Sequence, residues 1–427
     1  MMTDIKFNLN DIDYFLYENL SSEFLNKSFS NYTNNKISNA GLDFLTIGLI
    51  VSLVDRKIQR NAAADGWSRK LNVTIPVLNL EKWNKCKNIL ENALSFVSGD
   101  YWKINFSERD YIAKETEYLN SWSKKRRKKI ENDEIKTVCM FSGGLDSFIG
   151  AIDLLSTNIN ECVFINIRGG GNSFKNNFES ARDAICNEFL ITKKDKYFKS
   201  FLVKPWKAIE DTTRSRSFTF FTHAIAYSTC FSNHIDLIIP ENGTISLNVP
   251  LSYGRYGSCS TRTTHPHYVG LLQQIINTFE LNITLKNPYQ FKTKGEMLIE
   301  CKRFDFAKNN IVCTMSCSHP NSGRYQGNGK PGHCGTCLPC LIREAAELKA
   351  YGEVLTKYRN SFSKTTISTL RCLRFKISRI QKENVLVEIQ KNGQLMFDLE
   401  KYCQVYSRSI NELKNLVDMH LQDVEKE

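Results

Sequence analysis

The sequence predicts an α/β protein built on a parallel sheet, and three observations support this prediction. Strand-like and helix-like segments alternate from Thr137 onward. The apolar run 138–141 leads directly into the string SGGLDS at residues 142–147 and then into helical spacing. Polar loops follow the predicted strands 138–141, 162–167 and 235–239, at the strand ends where open α/β sheets bind ligands.

Length and composition fit a multidomain globular protein. The 427 residues are too many for one small core, and 41% hydrophobic with 24% charged residues is ordinary globular composition. We predict an N-terminal α+β accessory module at 1–130, a nucleotide-binding domain at 131–350 and a C-terminal appendage at 351–427. The net charge of +12 favours polyanionic partners such as nucleotides, nucleic acid or acidic protein surfaces.

The sequence predicts a cytoplasmic protein that does not contact membranes. The first residues lack the charged-then-apolar pattern of a signal peptide. The best apolar run, 44–54, is too short to cross a bilayer and predicts a buried helix. Fourteen cysteines without a secretory signal indicate a reducing compartment, where clustered cysteines bind metal.

The two flanking regions carry weaker patterns. In the N-terminal region we expect a helix at 42–54 and strands at 71–77 and 101–106. The basic run 124–129 is either a polyanion contact or a solvated linker, and the linker is favoured because no groove-binding motif accompanies it. The tail predicts a hairpin of 385–389 with 395–399 around Asn392-Gly393, then an amphipathic helix.

The string 142–147 has the chemistry of an anion-binding turn. Gly143 and Gly144 let backbone N–H groups converge on an anion, and the following helix adds the positive end of its dipole. Ser142 and Ser147 supply hydroxyls, and Asp146 supplies a carboxylate that could hold Mg²⁺ against phosphate. The alternative is a plain turn, since these residue types are common in turns. The Gly-Lys-Ser/Thr of a Walker A loop is absent.

Other polar segments are expected to converge on this turn. The loop 168–172 and the segment Glu241-Asn242-Gly243 also follow predicted strands. Between residues 246 and 268 lies an irregular polar segment whose Arg255, Arg262 and His265 are candidates for binding the substrate. The alternative for each histidine alone is that it caps a turn. Lys294, at a predicted helix start, could approach a nucleotide phosphate, although helix starts prefer acidic residues.

Four cysteines predict a metal site. Cys317, Cys334, Cys337 and Cys340 have the spacing C-x16-C-x2-C-x2-C, with glycine and proline between the last three. Four thiolates from two segments suit a closed tetrahedral Zn²⁺ site of the zinc-knuckle type. An iron–sulfur cluster also uses four thiolates, but the intervening residues favour zinc. We expect a structural role, because such a metal ties the intervening loop to the rest of the domain.

The string SGGLDS resembles the pyrophosphate-binding loop (PP-loop) of N-type ATP pyrophosphatases, the adenine nucleotide alpha-hydrolase-like proteins with a Rossmann-like parallel sheet. Joined to the four-cysteine block, it resembles the 7-cyano-7-deazaguanine synthases of queuosine biosynthesis (QueC-like proteins) over about 137–350. This resemblance places Arg216 in the family's Pro-Gly-Arg-Asn loop and Lys294 in its Thr/Ser-Lys-x-Glu helix start. It implies ATP, Mg²⁺ and Zn²⁺.

The chain departs from that family at the substrate end. The family's Gly-x-Asn…Asp and Tyr-Pro-Asp-Cys-Arg segments are replaced, and the two flanking regions are additions. The extended form resembles the QueC-like members of bacterial anti-phage systems, the Qat type above all and the CBASS-associated type next.

Three functions follow as hypotheses. In the first, the chain is an ATP-dependent ligase that adenylates a 7-carboxy-7-deazaguanine-type carboxylate and passes it to an amine of a partner protein from the same defence operon. Asp146 then positions Mg²⁺, and Lys294 and Arg216 neutralise phosphate charge. In the second, the amine is ammonia and the product is the free nitrile. In the third, the chain is a non-catalytic nucleotide-sensing or nucleic-acid-binding subunit that uses the basic run.

Overall fold

The structure, a computed structural model, describes most of the chain. The described residues are 3–6, 25, 29, 32–124, 135–168, 172–203, 208–210, 212, 214–249, 251, 262–321, 331–359, 364–380 and 384–426. Arg255, most of the basic run and most of the loop 168–172 lie outside them.

The described strands form two parallel sheets with helices between and around them. The strands are β1 (Thr3–Lys6), β2 (Lys70–Val77), β3 (Tyr101–Glu108), β4 (Thr137–Met140), β5 (Cys162–Arg168), β6 (Phe198–Leu202), β7 (Ile235–Ile238) and β8 (Ile283–Lys286). The helices are α1 (Asn39–Lys57), α2 (Leu80–Ser98), α3 (Ala113–Lys124), α4 (Leu145–Leu155), α5 (Asn172–Glu188), α6 (Lys194–Tyr197), α7 (Arg216–Ser228), α8 (Gly243–Leu247), α9 (Pro266–Thr278), α10 (Lys294–Ile299), α11 (Phe304–Asn310), α12 (Leu338–Tyr351), α13 (Lys364–Ile380), α14 (Val385–Gln390) and α15 (Leu399–Lys426).

The larger sheet has the strand order β6-β5-β4-β7-β8, and every pair in it is parallel. The chain therefore starts in the middle of the sheet, builds outward to β6, and returns to build the other half. The strand order reverses between β4 and β7, so a crevice opens there at the carboxyl ends of the strands. This α/β architecture confirms the predicted fold class, and β8 is a strand that the sequence patterns did not predict.

The smaller sheet has the order β1-β2-β3 and is also parallel. The predicted α+β character of the N-terminal module is therefore wrong, because α2 carries the chain back across the sheet in a β-α-β crossover. Pro76 lies in the central strand, but β1 pairs with β2 only as far as Thr74. The missing N–H of Pro76 consequently costs the sheet no hydrogen bond to β1.

Both faces of the larger sheet are buried, as the apolar run 138–141 requires. Val138 and Met140 belong to one hydrophobic cluster, and Cys139 and Phe141 belong to another on the opposite face. The first cluster also contains Val73 and much of α1, so the N-terminal module and the larger sheet share one core. The module covers one face of the sheet rather than standing apart from it.

Helix α1 makes the closest approach between the two parts. It is buried on all sides between Gly41 and Val51, as predicted for this apolar run. A Cβ atom at Gly48 would lie 1.9 Å from Oγ1 of Thr222 on α7. Glycine is required at this position because the two helix backbones come so close together.

The C-terminal appendage is helical. The predicted hairpin is wrong, because residues 385–390 form α14 and Asn392-Gly393 lies just after that helix. The predicted closing amphipathic helix is confirmed as α15, whose apolar side packs against α12 and α13. The appendage thereby forms a third hydrophobic cluster with the domain before it.

Among the described residues, the helices are all too short or too polar to span a membrane.

Candidate functional site

The turn 141–144 joins β4 to α4, as the sequence predicts. Gly143 has φ +82°, a conformation that other residues adopt only with strain. A Cβ atom there would also lie 2.9 Å from the Cα of Phe178. Gly144 is the N-cap of α4 and uses no side-chain cap. The first N–H groups of this eleven-residue helix are therefore the natural donors for an anion.

The two serine hydroxyls of the turn lie together beside these donors. The Oγ atoms of Ser142 and Ser147 are 3.2 Å apart, and Ser142 Oγ accepts from the Gly144 N–H at 3.2 Å. Ser147 Oγ donates to the Gly144 carbonyl at 2.9 Å. Ser142 is exposed whereas Ser147 is buried. Hydroxyl and amide groups thus converge on one small turn that opens to solvent at Ser142.

Asp146 joins this turn to the loop that follows β7. Its carboxylate is buried and accepts from the Asn242 backbone N–H at 3.2 Å and from Asn242 Nδ2 at 2.5 Å. It also forms an ion pair with Lys294 at the start of α10. Three segments far apart in sequence therefore meet at the crevice where the strand order reverses. Their meeting agrees with the expected convergence of Asp146, Asn242 and Lys294.

The two acidic residues at this junction, Asp146 and Glu241, have pKa values that depart from their usual ranges. Burial raises the pKa of Glu241 well above its usual range, and the neighbouring Asp146 charge raises it further. Burial opposes ionisation of Asp146 too, but the Lys294 charge and the hydrogen bonds from Glu241 and Asn242 outweigh it and lower the pKa of Asp146. The pKa values of the two acids therefore shift in opposite directions, as expected when two carboxyl groups share a site.

The start of α10 is fixed by its own capping residues. Thr293 and Glu296 form a reciprocal capping box, in which each side chain accepts from the other residue's backbone N–H. Glu296 accepts from Arg408 Nε at 2.7 Å, and that arginine belongs to α15. Lys294 follows the N-cap directly, so this arrangement sets the direction from which its side chain reaches Asp146.

The C-terminal helix α15 contacts two of the segments that form the site. Glu412 accepts from the Thr293 hydroxyl and from Lys349 Nζ, the latter at 2.7 Å. Ser409 hydrogen-bonds with Thr244, two residues after Asn242. The appendage thus contacts both the helix that carries Lys294 and the loop that carries Asn242. The sequence patterns did not predict this contribution, because these α15 residues read as the polar side of a packing helix.

The four predicted metal ligands come together. The ligand atoms of Cys317, Cys334, Cys337 and Cys340 all lie within 4.8 Å of one another. The sulfurs of Cys317 and Cys337 are 3.9 Å apart, as are those of Cys334 and Cys340. Four sulfurs at about 2.3 Å from a tetrahedral zinc ion would lie about 3.8 Å apart. The group could therefore hold a metal such as zinc.

Backbone amides support the sulfurs. The N–H groups of His319 and Cys334 donate to Cys317 Sγ at 3.3 and 3.4 Å, and the Cys337 N–H donates to Cys334 Sγ at 3.3 Å. Such donors are favourable to the thiolate form that metals need. His333 Nε2 accepts from the Ser316 N–H at 3.2 Å, which agrees with leaving this histidine out of the ligand set.

The cysteine group lies next to the glycine turn. Met315, two residues before Cys317, donates its N–H to the Gly143 carbonyl at 3.2 Å. Arg343, three residues after Cys340, is fully buried and donates to the Thr314 hydroxyl at 2.9 Å and to the Ile311 carbonyl at 2.8 Å. The segment 311–317 therefore connects the cysteine group to the turn.

The remaining predicted residues lie further out. The Arg216 guanidinium donates to the Ile167 carbonyl at 3.4 Å, near the end of β5. Arg262 donates to the Phe96 carbonyl at 3.2 Å and covers the Phe96 ring. His265 is buried against the same ring, and burial lowers its pKa to about 3. Both contact the N-terminal module, and their role in substrate binding stays a prediction.

Hydrogen bonds link the segment that carries Arg262 and His265 to the loop after β7. Thr264, beside His265, shares a hydrogen bond of 3.2 Å with Ser246, and Asn287 Nδ2 donates to the Glu241 carbonyl at 2.8 Å and to Ser246 Oγ at 3.3 Å. His265 accepts from the His267 N–H as the N-cap of α9, which is the turn-capping alternative. Gly243 donates to the Lys292 carbonyl at 2.9 Å, and Leu145 is buried in the core at the start of α4.

No protein-family model, curated protein or solved structure matches the chain.

Proposed function

We propose that the chain is an ATP-dependent ligase that activates a carboxylate as its adenylate and releases pyrophosphate. The observation that supports this most strongly is the position of the turn 142–147. It lies where the strand order reverses, opens to solvent at Ser142, and faces Asn242 and Lys294 across the crevice. The PP-loop assignment and the QueC-like resemblance belong to this proposal.

The turn would hold the phosphates of ATP. Backbone N–H groups of Gly143 and Gly144 and the hydroxyls of Ser142 and Ser147, which lie together in the turn, would stabilise the pyrophosphate as it departs. A carboxylate oxygen of the substrate attacks the α-phosphorus, and the bond from that phosphorus to the bridging oxygen breaks with its electrons on pyrophosphate. The predicted roles of Lys294 and Arg216 are to neutralise the negative charge that collects there.

Asp146 and Glu241 fit a magnesium ion by their chemistry. Two neighbouring carboxyl groups offer oxygen ligands, and Mg²⁺ prefers carboxylate oxygen together with substrate phosphate. Bound Mg²⁺ would supply charge neutralisation for the phosphates. Lys294 already supplies one positive charge to Asp146, so the same carboxylate orients the lysine.

The second half-reaction is proposed from the resemblance. The carboxylate is of the 7-carboxy-7-deazaguanine type, and an amine of a partner protein attacks the acyl carbon. The amine loses a proton, and AMP leaves with the electrons of the acyl–oxygen bond. In the alternative, ammonia attacks the acyl carbon to give an amide, a second ATP adenylates the amide oxygen, and loss of AMP and the amide protons leaves the free nitrile. A nucleotide-binding subunit without turnover is the third candidate.

The test is an incubation with ATP, the carboxy-deazaguanine and candidate partner proteins, followed by AMP quantification and intact-protein mass spectrometry. AMP together with a base-sized adduct on a partner supports the ligase, whereas AMP with free nitrile supports the alternative. Asp146→Asn should slow AMP release by at least about a hundredfold, since several kcal/mol of charge stabilisation is lost. Asp110→Asn, on an exposed side chain, is the matched control. Equal AMP release by both variants would overturn the proposal.

A further inference from the structure

A cleft lined by three arginines lies at the end of β5, beside the N-terminal module. Arg56 comes from α1, Arg168 from the last position of β5, and Arg216 from the first position of α7. Its other lining residues are mostly small hydroxyl-bearing or apolar side chains: Ser52, Ile167, Val203, Thr212, Ser215 and Thr219. Residues 142–147 do not line it, so it is distinct from the glycine turn at the neighbouring strand.

Arg56 and Arg168 meet no acidic side chain in the described lining of this cleft. Among the described residues that line it, none is acidic. Asp55 is next to Arg56 in sequence, but its carboxylate accepts from Arg60 at 3.1 Å, from Arg69 at 2.5 Å and from the Ser215 N–H at 3.0 Å. This neighbouring acid is therefore already engaged by two other arginines. Burial alone lowers the pKa of Arg216.

Glu210 is the second acid near this part of α1, and it is also engaged. Its carboxylate accepts from the backbone N–H of Arg60 at 3.0 Å. The Glu210 backbone N–H donates to the Arg56 carbonyl at 2.9 Å, which ties the segment 209–210 to the end of α1. Since both carboxylates already accept hydrogen bonds from other residues, neither of them fills the place of a bound anion in the cleft.

Two of the arginines carry buried N–H groups that could donate to a bound anion. Within the described part of the chain, the buried Nε–H groups of Arg56 and Arg168 have no hydrogen-bond partner. A buried donor without an acceptor costs free energy that a bound anion would recover. Guanidinium groups match phosphate and carboxylate oxygens in a bidentate geometry, and the Ser52 and Thr212 hydroxyls can add further donors.

We propose that this arginine cleft binds a compact oxyanion group, a phosphate or a carboxylate, and that the N-terminal module completes the site with Ser52 and Arg56. The site is built from α1 of the module and from the ends of β5 and α7, so it exists only where the two parts meet. Arg216 also has a role at the phosphates in the proposed function, so the separate ligand-binding task rests on Arg56 and Arg168, which that function does not use. The cleft gives the module a ligand-binding task besides its share in the hydrophobic core.

The test is isothermal calorimetry of the full chain at low ionic strength with inorganic phosphate and, in a parallel arm, with acetate. The two arms distinguish a phosphate from a carboxylate ligand. Loss of one charged hydrogen-bonding group should weaken binding about tenfold or more in Arg56→Gln and in Arg168→Gln. Lys57→Gln removes one charge from the same helix turn outside the cleft lining and should leave the affinity within about twofold.

Two further variants keep the result clear. If Arg56→Gln fails to fold, Arg56→Lys keeps the charge, loses the bidentate fork and should still bind several-fold more weakly. Asp146→Asn alters the glycine-turn site and should leave binding in the cleft unchanged. The proposal is overturned if wild-type protein binds neither anion, or if the arginine variants bind as well as wild type. Binding that is lost in Asp146→Asn but kept in Arg56→Gln would place the anion at the turn instead.

Discussion

At the scale of single residues, Lys294 and Asp146 form a buried ion pair between elements almost 150 positions apart in sequence. Each charge is tolerated in the interior because the other is present. We expect Lys294→Met to destabilise the fold by about 3–5 kcal/mol, because it leaves an uncompensated buried carboxylate. Urea unfolding monitored by circular dichroism measures this change.

The double variant Asp146→Asn/Lys294→Met should be less destabilised than the two single changes summed, because it removes both charges together. Lys302→Met, on an exposed lysine, should stay within about 0.5 kcal/mol of wild type and serves as control. If Lys294→Met unfolded at the same urea concentration as Lys302→Met, the ion pair would have no role in stability.

At the scale of elements, α15 fixes the start of α10 through Glu412. We expect Glu412→Ala to speed amide exchange at residues 293–297 by about tenfold, since one charged hydrogen bond to the Thr293 cap is lost. Hydrogen-exchange mass spectrometry reads this segment directly. Glu400→Ala, in the first turn of the same helix, should leave the exchange unchanged; equal rates in the two variants would show that α15 does not brace the site.

The cysteine group makes a separate element-scale prediction. We expect zinc bound to the purified chain, and Cys337→Ser should release it, because a structural site needs all four thiolates. Exchange at the amides of 143–145 should then rise, since Met315 connects the group to Gly143. Cys372→Ser, on an exposed cysteine outside the group, is the control. Metal analysis that found iron and sulfide would assign a cluster instead.

The elements also show how far sequence patterns reach. The strands β4, β5 and β7 were predictable because each is a short, largely apolar run with buried residues on both faces. β8 was not predicted, because it has only four residues, and those after the first are half-buried or exposed. The tail segment 385–389 is rich in β-branched residues and lies before Asn392-Gly393, which favours a hairpin, but packing against α15 decides in favour of a helix.

At the candidate site, local motifs were predictable and long-range support was not. The glycine turn and the four cysteines carry their chemistry within a few residues, so spacing reveals them. Arg56, Arg408 and Glu412 act from helices more than eighty residues from the turn, and nothing in their local sequence marks them. Arg262 and His265 show the converse, because a polar segment that suggested a ligand contacts Phe96 of the module.

At the scale of the whole molecule, the N-terminal module and the larger sheet behave as one packed body. Gly48→Ala should destabilise the fold by about 1–3 kcal/mol, because its Cβ would overlap Thr222 on α7. Gly270→Ala is the matched control on α9, where no atom lies within 4 Å of the added Cβ, and it should stabilise by about 0.5–1 kcal/mol. Thermal unfolding of both variants measures the difference. Equal effects would mean that the two helices are not in close contact.

During translation, α1 is synthesised long before the helix that buries it in the folded protein. Its apolar surface leaves the ribosome well before α7, the helix that covers it, has been translated. At typical elongation rates of about 5–20 residues per second, that interval is on the order of ten seconds. During this interval, the apolar surface of α1 must be shielded by chaperones or by transient collapse with the small sheet.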